Sequence, residues 1–198
     1  MLAIAGCGGH ARSVFSAIQH KNEVSCFVDL NARPNEFVMG IPVVKTLPND
    51  IKNIIIAIGD NKKREDFYVN HLRYFYPKII AQSAILSEEI EVKEGTFVGQ
   101  FAYLGPQCKV GHHSIVNTGA ILEHESSLGD FSHIAPKATV CGRSHLGNHV
   151  FIGAGATVID GISICDNVIV GAGSTVIKNI SEPGVYCGTL AVKVKELY

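Results

Sequence analysis

The stretch IVNTGAILEHESSLGDFSHI, residues 115–134, carries an aliphatic side chain at every sixth position. The same spacing continues on both sides of this stretch without a polar interruption. A period of six fits neither the 3.6-residue turn of an α-helix nor the two-residue alternation of a flat strand, and it is typical of a parallel β-helix. The aliphatic positions are Ile80, Leu86, Val92, Val98, Leu104, Val110, Val116, Leu122, Leu128, Ile134, Val140, Leu146, Ile152, Val158, Ile164, Val170 and Val176.

The residue four positions after each aliphatic is usually small, as at Ala102, Ser114, Ala120 and Ser132. In such a fold three hexapeptides close one coil, and successive coils stack at the strand spacing of about 4.8 Å. The period therefore predicts a narrow rod whose core is a ladder of stacked aliphatic side chains. The period alone does not fix the hand of the coil.

Composition excludes several classes of protein. The chain has 198 residues, 46% of them hydrophobic, and a formal net charge of −1, which argues against a nucleic-acid or membrane-surface binder. The residues Met1–Ala5 lead straight into a glycine turn, so we interpret them as a strand and not as a signal peptide. The six cysteines form no CxxC pair, which favours free thiols in a reducing, cytoplasmic compartment.

Residues 1–78 follow a different pattern, in which apolar runs of strand length alternate with amphipathic stretches. This alternation predicts a small Rossmann-like α/β domain, followed by the β-helix over residues 79–198. Pro77 is expected to end the last helix. The predicted strands are Leu2–Ala5, Val24–Val28 and Ile54–Ile58, with a further short strand near Gly40–Val44, and the predicted helices run from about His10 to His20 and from about Lys62 to Tyr76.

A glycine-rich turn, Gly6-Cys7-Gly8-Gly9-His10-Ala11, lies between the first strand and the first helix. It matches GxGxxA, and Asp29 ends the second strand, but a domain this small has only one mononucleotide-binding half, which argues against an NAD enzyme. Two interpretations stay open. The glycines serve only a tight turn, or the helix amino terminus holds a nucleotide or sugar phosphate, with Gly8, Gly9, His10 and Asp29 as contacts.

Three segments resemble a known family. The glycine-rich turn followed by His10, the turn Ala57–Asn61, and the stretch VNTGAILEHE (116–125) continuing as GDFSHIA (129–135) are similar to bacterial sugar acyltransferases. These are the sialic acid O-acetyltransferases and the bacillosamine-pathway N-acetyltransferases, and the resemblance covers nearly the whole chain. It implies a left-handed parallel β-helix, a homotrimer, a first domain that binds the acceptor sugar, acetyl-coenzyme A between neighbouring helices, and no metal.

His124 is the candidate general base. It lies two residues after Leu122, at a corner where side chains point outward, and an imidazole with a pKa of about 6.5 accepts a proton near neutrality. Glu125 resembles the family's orienting carboxylate. Gly142 follows His124 by one coil of 18 residues, so the two should stack about 5 Å apart. The resemblance implies that the Gly142 amide meets the oxyanion, whereas the simpler alternative is a glycine that only relieves a tight corner.

The resemblance adds Asn117 and His133 to the candidates, whereas Ala172, Gly173 and Lys193 are chosen because a coenzyme arm could run along the glycine-rich late coil and the basic tail. His112, His113, His145 and His149 are instead expected to decorate the exterior of the coil. The expected acceptor contacts are Gly8, Gly9, His10, Asp29, Gly59, Asn117 and His133, and the expected coenzyme contacts are Gly142, Ala172, Gly173 and Lys193.

These features predict an acetyl-coenzyme A-dependent N-acetyltransferase acting on a UDP- or dTDP-linked 4-amino-4,6-dideoxy sugar in bacterial surface glycan biosynthesis. A histidine base serves a hydroxyl equally well, so a sialic acid O-acetyltransferase is the alternative. A non-catalytic sugar-nucleotide sensor is more distant. A zinc hydratase of the γ-carbonic anhydrase type needs three converging histidines, and His145 and His149 are not spaced to join His124 or His133.

Overall fold

The computed structural model describes residues 1–196. These form a small α/β domain, followed by a three-faced coil of short parallel strands. Within these residues no helix is long and apolar enough to span a bilayer. The elements of the first part are β1 (Leu2–Ala5), α1 (Gly9–Ala17), a 3₁₀ turn (Lys21–Glu23), β2 (Val24–Val28), β3 (Phe37–Val38), β4 (Ile41–Val44), β5 (Asn53–Ile56) and α2 (Asn61–Val69).

The first sheet has the order β3-β4-β2-β1-β5 and is parallel except for the β3–β4 pair. All four residues of β1 are buried, because the strand is central and both faces of the sheet are covered. The predicted α/β fold class is confirmed, and the Gly40–Val44 region does supply a strand.

The second helix is shorter than the sequence predicted. It ends at Val69, seven residues before Tyr76, so Pro77 does not end it. The following chain returns to the sheet: the Ile54 N–H donates to the Phe75 carbonyl at 2.9 Å, and the Phe75 N–H donates to the Lys52 carbonyl at 3.0 Å. Phe75 therefore pairs with the edge strand β5, although the amphipathic pattern of the sequence predicted that it belongs to a helix.

The coil is a left-handed parallel β-helix with three faces, and corners are named here by the two faces that they join. Face 1 contains Ile79–Ile80, Phe97–Val98, Ile115–Val116, His133–Ile134, Phe151–Ile152, Val168–Val170, Gly184–Cys187 and the antiparallel Val192–Lys195. Face 2 contains Ile85–Leu86, Tyr103–Leu104, Ile121–Leu122, Thr139–Val140, Thr157–Val158 and Thr175–Val176. Face 3 contains Glu91–Val92, Lys109–Val110, Ser127–Leu128, His145–Leu146 and Ser163–Ile164.

The predicted aliphatic ladder is confirmed. From Val98 to Val176 every sixth residue is at most 3% exposed, and strand partners are 18 residues apart, as in Leu122 opposite Val140. Ile80, Leu86 and Val92 are only half-buried, because their coil has a neighbouring coil on one side alone.

Small residues at the corners also have a physical reason. Ser132 is fully buried, its hydroxyl donates to the Gly147 carbonyl at 2.9 Å, and it accepts the Val150 N–H at 2.9 Å. A larger side chain has no room in this position inside the coil. One residue earlier in each corner, every sixth residue from Glu89 to Gly173 has a φ between 50° and 70°, which turns the chain into the next face.

The first domain packs on face 1. Phe97 and Ile115 point outward from this face into the apolar cluster that contains Val14 and Phe15 of α1. The next residue in the same column is His133, which is 7% exposed, and beyond it lie the half-buried Phe151 and Ile169. Within this column, the first domain covers the outward side chains only as far as His133.

We predict that Leu122→Asp abolishes cooperative folding. Leu122 is fully buried, so the change removes roughly 2–5 kcal/mol of packing and adds the cost of a buried carboxyl group, against a total stability of about 5–15 kcal/mol. Thermal unfolding followed by circular dichroism measures the effect. Lys109→Asp, on an exposed side chain of face 3, is the control and should leave the transition nearly unchanged. A wild-type transition for Leu122→Asp would contradict the ladder.

Candidate active site

His124 and Glu125 form a pair at corner 2–3. The His124 Nδ1 lies 3.1 Å from the Glu125 Oε2, and the two side chains are 43% and 52% exposed. Because an ionised carboxylate only accepts hydrogen bonds, this contact places the imidazole proton on Nδ1. In the neutral form of the ring the Nε2 atom is then unprotonated, as a general base requires.

Gly142 lies directly beside the imidazole of His124. The Arg143 N–H donates to the His124 carbonyl at 2.9 Å, which fixes the coil register, and a β-carbon on Gly142 would overlap the His124 ring. The φ of Gly142 is not in the left-handed region, so the ring, and not the turn, requires glycine here. Gly142 is buried, and among residues 1–196 its N–H has no hydrogen-bond acceptor.

A second group of predicted residues lies where the first domain meets face 1. The His133 Nδ1 is 3.2 Å from the Gly59 carbonyl oxygen, and its Nε2 is 3.1 Å from the Asn117 Nδ2. The Asn117 Oδ1 accepts the Thr118 N–H at 2.8 Å, so the amide end of Asn117 faces the imidazole. These contacts give His133 a single neutral tautomer, with the proton on Nδ1 and the Nε2 lone pair engaged.

His10, in the first turn of α1, lies next to His133. Its ring lies 6.1 Å from the ring of His133 and 5.2 Å from that of Phe97, centroid to centroid. Both ring nitrogens are buried and have no hydrogen-bond partner among residues 1–196. A buried imidazole without a partner is costly, and the ring nitrogens of His113 share this condition.

The glycine-rich turn is open at its helix end. Gly8 precedes α1 and Gly9 begins it, and a β-carbon added to either would meet nothing within 4 Å. Asp29, at the end of β2, accepts the Cys7 thiol at 3.2 Å and the Asn31 N–H at 2.9 Å. The Asn31 hydrogen bond is the main cause that lowers the pKa of Asp29, so this carboxylate is ionised at neutral pH.

A cavity of about 960 Å³ adjoins this second group. Its polar wall is the turn Gly59–Lys62 at the start of α2, together with His133. Its apolar floor is the uncovered part of face 1, with Phe151, Ile169 and Pro183. The cavity has room for a sugar-sized or larger ligand between the first domain and the coil.

The predicted coenzyme contacts do not gather at one point of the chain. Ala172 and Gly173 follow the strand Val168–Val170 and lie at corner 1–2, whereas Gly142 lies at corner 2–3. Lys193 is held by two carboxylates, with its Nζ 3.0 Å from Glu182 and 2.9 Å from Glu196. Lys193 is therefore not the unpaired cation that a phosphate contact would favour.

Sequence reasoning misjudged one histidine. His113 was expected on the exterior, but it is 1% exposed, because Tyr68 and Tyr76 of the first domain pack on its ring at 4.3 and 4.9 Å. His149 pairs at 3.5 Å with Glu65 of α2. In residues 1–196 no group of three or more His, Cys, Asp or Glu side chains is arranged to hold a metal ion.

Sequence reasoning also missed Arg64, the largest fully buried side chain. It lies in the polar stretch NKKRED, which resembles a solvated helix surface. The coil and the loop before α2 together enclose it, and no sequence signal marked it.

Two family models match the chain: the PglD N-terminal domain over residues 1–70, and the bacterial transferase hexapeptide (six repeats) over residues 143–178. No curated protein sequence gives a significant match.

Solved structures match over almost the whole chain. A histidine-to-alanine variant of GDP-perosamine N-acetyltransferase from Caulobacter crescentus, in complex with CoA and GDP-perosamine, is 28% identical, with a TM-score of 0.92 over 98% of this chain and 97% of that one. The acetyltransferase domain of PglB from Neisseria gonorrhoeae is 27% identical, with a TM-score of 0.89 over 98% of both chains. WeeI from Acinetobacter baumannii, 22% identical over 98% of this chain and 99% of that one, shares the fold at a TM-score of 0.90.

The repeats, the fold and these matches define a hexapeptide-repeat acyltransferase. Residues 1–70 match the PglD N-terminal domain, and the solved structures that match nearly the whole chain at 27–28% identity are sugar acetyltransferases, in agreement with the resemblance seen in the sequence.

We predict that acid destabilises this protein. Burial is the main cause that lowers the pKa of His10 and His113 to about 4 and that of His133 to about 3, and the charge of Arg64 adds to the effect. In the unfolded chain these imidazoles regain a pKa of about 6.5. The unfolded state therefore binds more protons below pH 6.5, and the free energy of unfolding falls as the pH drops from 6.5 towards 4.

Thermal unfolding between pH 7.5 and pH 5 measures this dependence, and we expect the midpoint to fall by on the order of 10 °C. His113→Phe keeps the aromatic packing and removes one titrating group, so its unfolding midpoint should depend less steeply on pH. Equal slopes for the wild type and this variant would contradict the assignment of His113 as a buried neutral base.

Proposed function

We propose that the chain transfers the acetyl group of acetyl-coenzyme A to the amino group of a nucleotide-linked 4-amino-4,6-dideoxy sugar. The observation that carries this proposal is the His124–Glu125 pair packed against a glycine whose N–H is unbonded among residues 1–196. The relatives support it, since one was determined with CoA and GDP-perosamine and another with acetyl coenzyme A.

The chemistry follows from the atoms at corner 2–3. The acceptor amine attacks the thioester carbonyl carbon while the His124 Nε2 takes a proton from the nitrogen, and the Gly142 N–H donates to the oxygen that becomes negative. The C–S bond then breaks, and the imidazolium returns its proton to the departing sulfur. Glu125 stabilises the imidazolium and keeps Nε2 directed outward. The products are an amide and a free thiol.

The acceptor is proposed to bind at the first domain. The glycine-rich turn is open, and the nearby ring nitrogens of His10 are buried without a partner in residues 1–196. A sugar hydroxyl or phosphate oxygen would satisfy them, with Asp29 and Gly59 as further contacts. UDP and dTDP remain the proposed nucleotides, and the relative that carries GDP-perosamine adds GDP to those that need testing.

A complete site then requires more than one chain. The first domain packs on face 1, and in a three-faced coil the corner that bears His124 is the one opposite this face. We propose a homotrimer in which an acceptor held by one chain is acetylated by His124 of another, with the coenzyme in the groove between them. Closed cyclic assembly repeats the same junction three times.

Cytoplasmic location and a role in surface glycan biosynthesis are also proposals. The former is supported by six cysteines that are all free thiols. Sialic acid O-acetylation is the alternative function, because the same base serves a hydroxyl, and a non-catalytic sugar-nucleotide sensor is the distant one. Release of free thiol from acetyl-coenzyme A, measured with amino-sugar nucleotides and with sialic acids, separates all three.

We predict that His124→Ala lowers kcat by about 10²–10⁴-fold, which is the usual effect of losing a general base. Affinity for the coenzyme, measured by calorimetry, should change little because the imidazole acts on the acceptor proton.

His112→Ala is a matched control for this variant. His112 occupies the same position of its hexapeptide, is likewise 43% exposed, and lies near a carboxylate, Glu94. It should keep the wild-type rate. A His124→Ala enzyme with the kcat of the His112→Ala control would exclude His124 as the base.

A further inference from the structure

Arg64 joins the two parts of the chain through carbonyl oxygens. On the first domain its guanidinium donates to the Ile58 carbonyl at 2.9 Å, the Gly59 carbonyl at 3.3 Å and the Asn61 Oδ1 at 2.7 Å. All three acceptors belong to the loop that leads into α2 and to its first residue, and this loop forms one wall of the cavity.

The same guanidinium also donates to the β-helix. Its acceptors are the His113 carbonyl at 2.7 Å, the Phe131 carbonyl at 2.8 Å and the Ser132 carbonyl at 3.3 Å. Phe131 and Ser132 immediately precede His133 in the chain. Arg64 therefore holds the backbone that carries His133.

The two sets of contacts converge on one atom. The Gly59 carbonyl accepts from both Arg64 and the His133 Nδ1, so Arg64 is bonded to both sides of the His133–Gly59 contact. No carboxylate forms a salt bridge with Arg64 among residues 1–196. Its positive charge lowers the pKa of both His133 and His10, although burial is the larger cause.

A stable contact between the first domain and the β-helix does not require a buried cation. Burial lowers the pKa of Arg64 itself to about 9, which reflects the cost of removing a guanidinium from water. Replacing a buried charged group by a well-packed apolar one is often neutral or stabilising. The six acceptors fit a geometric role better, because a planar guanidinium fixes several oxygens at once.

We propose that Arg64 is a positioning residue for the acceptor site: it locks the Gly59 turn to the strand of His133, so that the His133 Nδ1 faces Gly59 and its Nε2 faces Asn117. This rests on the proposed function only in taking the cavity beside Gly59 as the acceptor's location. A loosened Gly59–His133 contact weakens acceptor binding and leaves corner 2–3, with its base, unchanged.

The test uses Arg64→Lys, which keeps the charge without the planar fork, and Arg64→Met, which keeps the length without the charge. For both variants we expect the KM for the amino-sugar nucleotide to rise about 10–100-fold. The KM for acetyl-coenzyme A and the kcat at saturating acceptor should stay within about threefold of wild type. Arg64→Lys provides a folded variant if Arg64→Met does not fold.

Tyr76→Phe is the structural control. The Tyr76 hydroxyl donates to the His71 carbonyl at 2.9 Å, and the ring packs on His113 at the same domain contact, but it touches neither Gly59 nor His133. Loss of this hydroxyl should lower the melting temperature and leave the acceptor KM unchanged. An equal rise in acceptor KM for Tyr76→Phe would assign Arg64 a purely structural role and overturn the proposal.

A second measurement does not depend on turnover. Nitrogen-15 spectra of histidine-labelled protein, assigned with His133→Asn, report the tautomer and charge of His133 at pH 6. We expect the neutral Nδ1–H form in the wild type and its partial loss in either Arg64 variant. Unchanged acceptor KM and an unchanged His133 signal in a folded Arg64 variant would refute the role. If the wild type acetylates no amino sugar, the proposed function fails, and the spectra still decide the role of Arg64.

Discussion

Parallel hydrogen bonding between residues 18 positions apart is the constraint on which the rest of this structure depends. It stacks Leu122 on Val140 in the core, and it equally fixes the outward positions, so that His124 lies over Gly142. A shift of one residue would move the aliphatic ladder out of the core and separate this pair. The stability of the rod and the geometry of the base therefore have one physical origin.

Much of the fold follows from the sequence because the coil repeats a local pattern. The ladder, the small corner residues and the stacking of His124 with Gly142 each depend on position within a hexapeptide, and each was predicted. The end of α2 was not, because Phe75 is drawn to the edge of β5 by backbone hydrogen bonds that leave no trace in amphipathicity.

The contact between the two domains was the least predictable part. His113 occupies an ordinary outward corner position, and only the arrival of Tyr68 and Tyr76 buries it. Arg64 lies in a charged helical stretch, and oxygen atoms of both the coil and the loop before α2 make its burial tolerable. Periodicity describes each domain alone, so it carries no information about which surface the other domain covers.

The histidines consequently divide into two electrostatic groups. His10, His113 and His133 are buried at the domain contact near the Arg64 guanidinium, and their pKa values are lowered, whereas His124 is exposed and paired with a carboxylate. This division suits one site that must bind an uncharged or anionic acceptor and another that must take up a proton. Because the two groups lie on opposite sides of one chain, the account requires that they meet across a subunit junction.

Complementation between two inactive variants tests this requirement most directly. His124→Ala removes the base, and Gly8→Trp fills the open mouth of the glycine turn, where an added side chain meets no neighbour within 4 Å of its β-carbon. The two differently tagged chains are co-expressed and mixed assemblies are purified through both tags. If the site joins two chains, one of the three junctions in every mixed trimer pairs an intact glycine turn with an intact His124, so about a third of the sites are restored. Activity no higher than that of the separate variants would contradict the account.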